Sequence, residues 1–131
     1  MATLKSTLKI ESTDIFPTPV NFTQINNNTV AGDFSGFNTI DVTSTSTKLN
    51  FLGAIGVTGA YVYVEAKTTN LHPVYVGLTA TGLTTATAAI KLYPGDIAFF
   101  PAGNNAACDL GSICASSQTG TISYFIGEKA V

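Results

Sequence analysis

Glycine and proline interrupt this chain so regularly that a long helix has nowhere to form. Twelve glycines and five prolines are spread along 131 residues. Between them lie short runs rich in Thr, Val, Ile, Tyr and Phe, residues that fit a pleated, half-buried surface. Helical periodicity survives at best in Leu83 to Ile90.

The runs show the period of a strand. From Thr3 to Ile10, Leu4, Leu8 and Ile10 share one parity, and Thr3, Lys5, Thr7 and Lys9 hold the other. That alternation describes a strand with one wet face. Asp14 to Val20 carries Pro17 and Pro19, which forbid a helix and a central strand and suit an extended arm or an edge crossing. Asn21 to Ile25 reads as a short strand, and Asn26-Asn27-Asn28 as a turn. Asn38 to Thr47 is a polar, β-prone piece. Ala60 to Lys67 is the strongest strand, and Asn70-Leu71-His72-Pro73 a turn. With Val74 to Thr79 they predict a hairpin over Tyr61 to Thr79. Pro94-Gly95-Asp96 predicts a tight turn with glycine at positive φ, placed between the strands Ile90 to Tyr93 and Ile97 to Phe100. Gly111 to Ala115 is weakly β-prone, and Gly120 to Glu128 is a final strand. The expected fold is all-β: a single-domain β-sandwich or jelly-roll-like barrel of about eight to ten short antiparallel strands. Residues 1–22 read as an N-terminal strand and extended arm, and 23–131 as the sandwich.

Composition narrows the function. Charged residues are 11% of the chain, about half the usual share, and the formal net charge is -2. All six basic residues are lysines. Without arginine or a basic run, no nucleic-acid partner is expected. No stretch approaches the roughly 18 apolar residues of a membrane span, so no membrane partner is expected either. The start, Met1 to Lys9, alternates and has no apolar signal core, which predicts folding in a cytoplasm with Cys108 and Cys114 first made as thiols.

Candidate chemistry is sparse. Gly95 to Gly103 has the spacing that opens the second cupin signature, but the signature's histidine and asparagine positions hold Ala106 and Leu110. A metal centre needs three or four converging donors, and the chain has one histidine. The motif is therefore shape without a ligand set, and no metal or other cofactor is expected. His72 could act as a base, yet no GxSxG elbow accompanies it, and an exposed turn residue before proline is the plainer reading. Cys108 and Cys114 read as buried thiols or as a late disulfide across a three-residue loop, Leu110-Gly111-Ser112. The eight carboxylates form no calcium-loop spacing and read as solvated turn and strand residues, with Asp96 bracing its own turn. Tyr61, Tyr63, Tyr75 and Tyr93 lie on neighbouring strands, where they pack against protein or stack on sugar. Phe16, Pro17, Pro19, Val20 and Phe22 combine apolar bulk with a preformed extended backbone, suited to lying on another protein or on the domain's own sheet edge. No catalytic set emerges.

The order of the later pieces carries a resemblance. Ala60-Tyr-Val-Tyr-Val-Glu-Ala-Lys, then Tyr75-Val-Gly-Leu-Thr, then Ile90 to Gly103 with its Pro-Gly-Asp turn, then Thr121-Ile-Ser-Tyr-Phe-Ile-Gly-Glu follow one another. This resembles the small β-sandwich structural proteins of tailed-bacteriophage virions. The resemblance covers Ala60 to Glu128 and is one of turn-and-strand pattern. It implies a jelly-roll or immunoglobulin-like sandwich without catalytic residues, serving as a capsid decoration (cement) protein, a head fibre or a tail component. On that reading the protein is assembled in the host cytoplasm and found in the virion. It would be a homo-oligomer, a trimer in many such proteins, that binds the major capsid protein and stabilises the outer capsid surface. Low charge agrees, since it lowers repulsion between copies. The alternatives are a carbohydrate-binding or adhesin module and, further off, a degenerate cupin-like enzyme.

Overall fold

The computed structural model describes residues 2–13, 20–34, 37–49, 59–79, 81–102 and 110–129, and among them the chain forms ten strands and no helix. The strands are β1 (Ala2–Ser12), β2 (Val20–Phe34), β3 (Asn38–Val42), β4 (Thr47–Lys48), β5 (Ala60–Ala66), β6 (Val74–Gly77), β7 (Ile90–Leu92), β8 (Ile97–Ala102), β9 (Gly111–Ile113) and β10 (Gly120–Lys129). A six-stranded sheet has the order β1-β2-β10-β5-β8, with β3 also pairing β10, and a four-stranded sheet has the order β4-β9-β6-β7. All pairings are antiparallel. The all-β sandwich expected from the period of two is what the chain forms.

Strand β5 shows why. Ala60, Val62, Val64 and Ala66 are fully buried, while Tyr61, Tyr63 and Glu65 alternate with them on the other side. Its partner β10 supplies Ile122, Tyr124 and Ile126 to the same inner layer, opposite Ala66, Val64 and Val62. From the facing sheet, Val74, Val76 and Leu92 complete one core cluster with Val42, Leu49, Leu110 and Cys114. Removing a valine-sized side chain from water contributes about 1.5–3 kcal/mol, so this seam dominates the stability.

The Tyr61 to Thr79 hairpin expected from sequence does not form. β5 pairs with β10 and β8, whereas β6 pairs with β7 and β9 in the other sheet. Both strands carry alternating valines, and both sets are buried best by facing each other across the core rather than side by side. The segment between them, including His72-Pro73, crosses from one sheet to the other. Asn26-Asn27-Asn28 is likewise not a turn. It lies inside the 15-residue β2, opposite Ser6, Lys5 and Leu4. Asparagine's turn preference was outweighed by eleven consecutive pairs with β1. The 22/23 division of the chain falls within β2. Leu83 to Ile90 forms no helix, only one turn in which Ala88 N–H donates to the Thr84 carbonyl at 3.0 Å.

The Pro94-Gly95-Asp96 turn forms as its residues dictate. Gly95 has φ +88°, and Asp96 N–H donates to the Tyr93 carbonyl at 2.9 Å. The Asp96 carboxylate accepts from Tyr93 N–H at 2.9 Å, closing the turn from its other side. Asn70 does comparable work where β5 has ended. Its Nδ2 donates to the Thr121 carbonyl at 2.9 Å, and its Oδ1 accepts from Thr121 N–H at 2.8 Å. The side-chain amide thus stands in for a strand residue beside β10. The two sheets meet closely here, since a Cβ on Gly120 would lie 2.7 Å from Val74 Cγ2.

Asn70→Ala removes both bonds and is expected to lower stability by about 1–3 kcal/mol in urea unfolding, with m unchanged. Asn70→Asp should also destabilise, because it sets a carboxylate oxygen against the Thr121 carbonyl. Ser112, on β9, is fully buried and its hydroxyl has no hydrogen-bond partner among the described residues. An orphaned hydroxyl carries its desolvation penalty uncompensated. Ser112→Ala is therefore expected to hold or raise the unfolding midpoint. A loss of more than about 1 kcal/mol would show that the hydroxyl is satisfied.

Candidate functional site

The outer face of the six-stranded sheet is the chain's most unusual surface. Because β5 alternates, Tyr61 and Tyr63 point away from the core, and register places Pro101 opposite Tyr61 and Phe99 opposite Tyr63. On the other flank Phe125 lies opposite Tyr63. Phe37, just before β3, closes the group. Its ring stacks on Phe125 at 5.8 Å between centroids and meets the edge of Tyr63 at 5.8 Å. Tyr61 and Phe99 stack at 6.2 Å with planes 8° apart, the diagonal neighbour relation of a sheet. Phe37 is 74% exposed, Ile97 63% and Phe99 41%.

The tyrosines of this face offer apolar surface. The Tyr61 hydroxyl donates to Asn28 Oδ1 at 3.0 Å, and the Tyr63 hydroxyl donates to Glu65 Oε2 at 3.0 Å. Partial desolvation and then the neighbouring Glu65 carboxylate hold the Tyr63 phenol above its ordinary value. Both phenol protons are therefore engaged within the chain, and the ring faces and edges remain. The outer face of the four-stranded sheet differs. There Lys91 lies 5.5 Å from the Tyr75 ring centroid and 4.8 Å from that of Tyr93. The two tyrosines, Tyr93 foremost, raise the Lys91 ammonium above its usual value.

The sequence left Tyr61 and Tyr63 between protein packing and sugar stacking. They are half-buried, on the outside of the sheet, and take no part in the main core. The phenylalanines beside them were not singled out as a site from sequence. The signal was present in the parity of β8, where Ile97 and Phe99 alternate with Ala98 and Phe100.

His72 lines an open cleft of about 650 Å³ with Asp41, Asn70, Leu71, Ser117 and Thr121. Asp41 Oδ1 accepts from the Thr121 hydroxyl at 3.0 Å. Among the described residues no hydrogen bond joins His72 to a hydroxyl or a carboxylate, so no nucleophile–base pair is assembled there. Among the same residues no group of three or more His, Cys, Asp or Glu is placed to hold a metal ion.

Of the arm residues, Phe16, Pro17 and Pro19 lie outside the described residues. Val20 opens β2 opposite Ser12, and Phe22 pairs with Ile10. β1 and β2 form a ribbon in which Leu4, Ser6, Leu8 and Ile10 share a face with Asn28, Asn26, Gln24 and Phe22. Since Asn28 bonds Tyr61, this face lies on the same side of the sheet as the aromatic group. Val30, on that face nearest the body, is fully buried yet outside the main core cluster.

Cys108 lies outside the described residues. Cys114 is a free, buried thiol whose Sγ–H donates to the Val42 carbonyl at 3.6 Å. The three-residue loop that would have set the cysteines face to face is not formed, because Gly111 and Ser112 are in β9. Desolvation raises the Cys114 thiol above its ordinary value of 9.0. In the unfolded chain the thiol ionises near that value, while the folded chain keeps the proton. Stability from this site is thus complete below pH 9 and falls as pH rises beyond it. The unfolding midpoint is expected to decline between pH 9 and 10, and Cys114→Ala to flatten that decline.

No family model matches the chain, and no curated protein does. A solved structure of Bacillus endospore appendages, described as a novel family of disulfide-linked pili, is similar over 76% of this chain and 90% of that chain, at 19% identity and a TM-score of 0.44.

Proposed function

We propose that this chain is a non-enzymatic structural subunit that works by assembling into a larger particle. The observation that carries the reading is the exposed aromatic outer face around Phe37, Tyr61 and Phe99. A monomer that stays in water has no use for such a face, whereas burial between subunits accounts for it. The engaged phenol protons favour a protein partner over a sugar, because sugar recognition draws on free hydrogen-bonding groups beside the rings. In its finer form the proposal is a decoration protein: a homo-oligomer in the virion, seated on the major capsid protein and stabilising the shell by bridging neighbouring capsid subunits. That form rests on the turn-and-strand resemblance of Ala60 to Glu128. Many weak contacts on a symmetric lattice would reinforce one another.

The test is fractionation and electron cryo-microscopy of native particles from cells that make the chain. The protein is expected in stoichiometric amount on the particle surface. Recovery from soluble lysate alone, with none in any particle fraction, sinks the reading. A glycan array should show no sugar-dependent binding, and a strong signal lost in Tyr61→Ala would move the function to carbohydrate recognition.

A further inference from the structure

We infer that the β1–β2 ribbon is a docking arm for a second copy of this chain, with its uncharged face seated on that copy's outer aromatic face. The inference rests on the structural role proposed above and names the partner within it.

The ribbon has too little support from its own body. Among the described residues only the first of its pairs, Ala2↔Val30, has β10 alongside, through Lys129, while the pairs from Thr3↔Thr29 to Ser12↔Val20 have no third strand. A two-stranded ribbon by itself is at best marginal in water. Ten such pairs reach about 33 Å at the rise of a strand. Burial falls away along that reach. Val30 is fully buried and Leu4 and Asn28 are half-buried, but Leu8, Ile10 and Phe22 are 56%, 50% and 47% exposed. The three form one apolar cluster, since Ile10 pairs with Phe22 and Leu8 is the next residue on that face.

Charge is sorted across the ribbon. Lys5, Lys9 and Glu11 all occupy the opposite face, where Lys9 and Glu11 pair with each other at 2.6 Å. The apolar face carries no charged side chain, so it brings no ion of its own to the contact, and on the aromatic face the Glu65 carboxylate is already bonded to the Tyr63 hydroxyl. The chain's own aromatic face cannot be the seat. The ribbon belongs to the same sheet, on the far side of β10 from β5 and β8, and leaves that face edge-on. A second copy is not bound by that geometry.

The area suffices. A face two strands wide and ten residues long covers about 320 Å². Exchanged reciprocally between two copies, it buries about 640 Å² on each, or about 1,300 Å² in all, within the range of specific interfaces. Phe22 then belongs to a contact between copies and not to one with a capsid protein.

The experiment is sedimentation analysis of the full chain, alongside Ile10→Lys/Phe22→Ser and, on the opposite ribbon face, Thr23→Lys. The wild type and Thr23→Lys are expected to be oligomers. The double variant is expected to associate at least about thirtyfold more weakly, the effect of losing one hot spot. Circular dichroism checks that it is folded. If it is not, disulfide trapping decides. In a Cys108→Ser/Cys114→Ala background, Phe22→Cys and Phe99→Cys chains are mixed under oxidising conditions, and a mixed disulfide between them is expected. A monomeric wild type, an oligomer unmoved by the ribbon variant, or absence of the mixed disulfide overturns the inference. So does a ribbon variant that stays oligomeric but leaves the particle, since the arm then docks on another protein. A monomer still found on particles refutes the arm and spares the structural role. A ribbon-held oligomer found on no particle supports the arm and refutes that role.

Discussion

A strand has two faces, and β5 makes one of them wholly apolar and the other mostly aromatic, with Glu65 at its end. Its even residues, Val62 and Val64, build the core with β10 and the facing sheet, while its odd residues, Tyr61 and Tyr63, hold an aromatic layer outside. An antiparallel strand with one wet face would carry polar residues there. Because β5 sits between β10 and β8, the same parity passes to its neighbours and recruits Phe125 on one side and Phe99 on the other. The inner layer gives the fold, and the outer layer leaves aromatic rings at the surface. Neither can be altered by sliding the strand, since a one-residue slip exchanges the two faces along its whole length.

The contrast between the sheets follows from how charge is distributed. With 11% charged residues, the chain cannot wet every surface. The four-stranded sheet places Lys91 over Tyr75 and Tyr93, which keeps its aromatic rings beneath a hydrated cation. The six-stranded sheet has Glu65 beside Tyr63 and a run of rings without cations. Along the ribbon the same sorting occurs across one pair of strands, lysines on one side and Leu8, Ile10 and Phe22 on the other.

Much of the fold was legible in the residues. The two-residue period identified β1, β5, β6 and β10, and glycine beside proline identified the Tyr93–Asp96 turn with its positive φ. Pairing was not legible. Val62 and Val64 look the same whether β6 lies beside them or across the core, because alternation specifies which face is buried and not what covers it. The site was half legible. Tyr61 and Tyr63 stood out by spacing, but Phe37 is joined to them only through β3 and β10, far away in sequence. Asn26 to Asn28 misled because asparagine's turn preference is local, whereas the ladder that overrides it comes from β1.

By itself, the sequence determined the class of fold: short alternating runs broken by glycine and proline leave a chain of this length little besides a β-sandwich. It also removed arginine, and with it the usual means of gripping phosphate. The tertiary structure alone decided that Phe37, Tyr61, Tyr63, Phe99 and Phe125 share one outer face, and that among the described residues His72 lines a cleft with no hydroxyl or carboxylate bonded to it and β1 and β2 form a ribbon with no third strand along most of its length. The reason is one of range. Strand period is set by neighbours two residues apart, but a surface is set by which strands lie side by side, and that is chosen by burying the core.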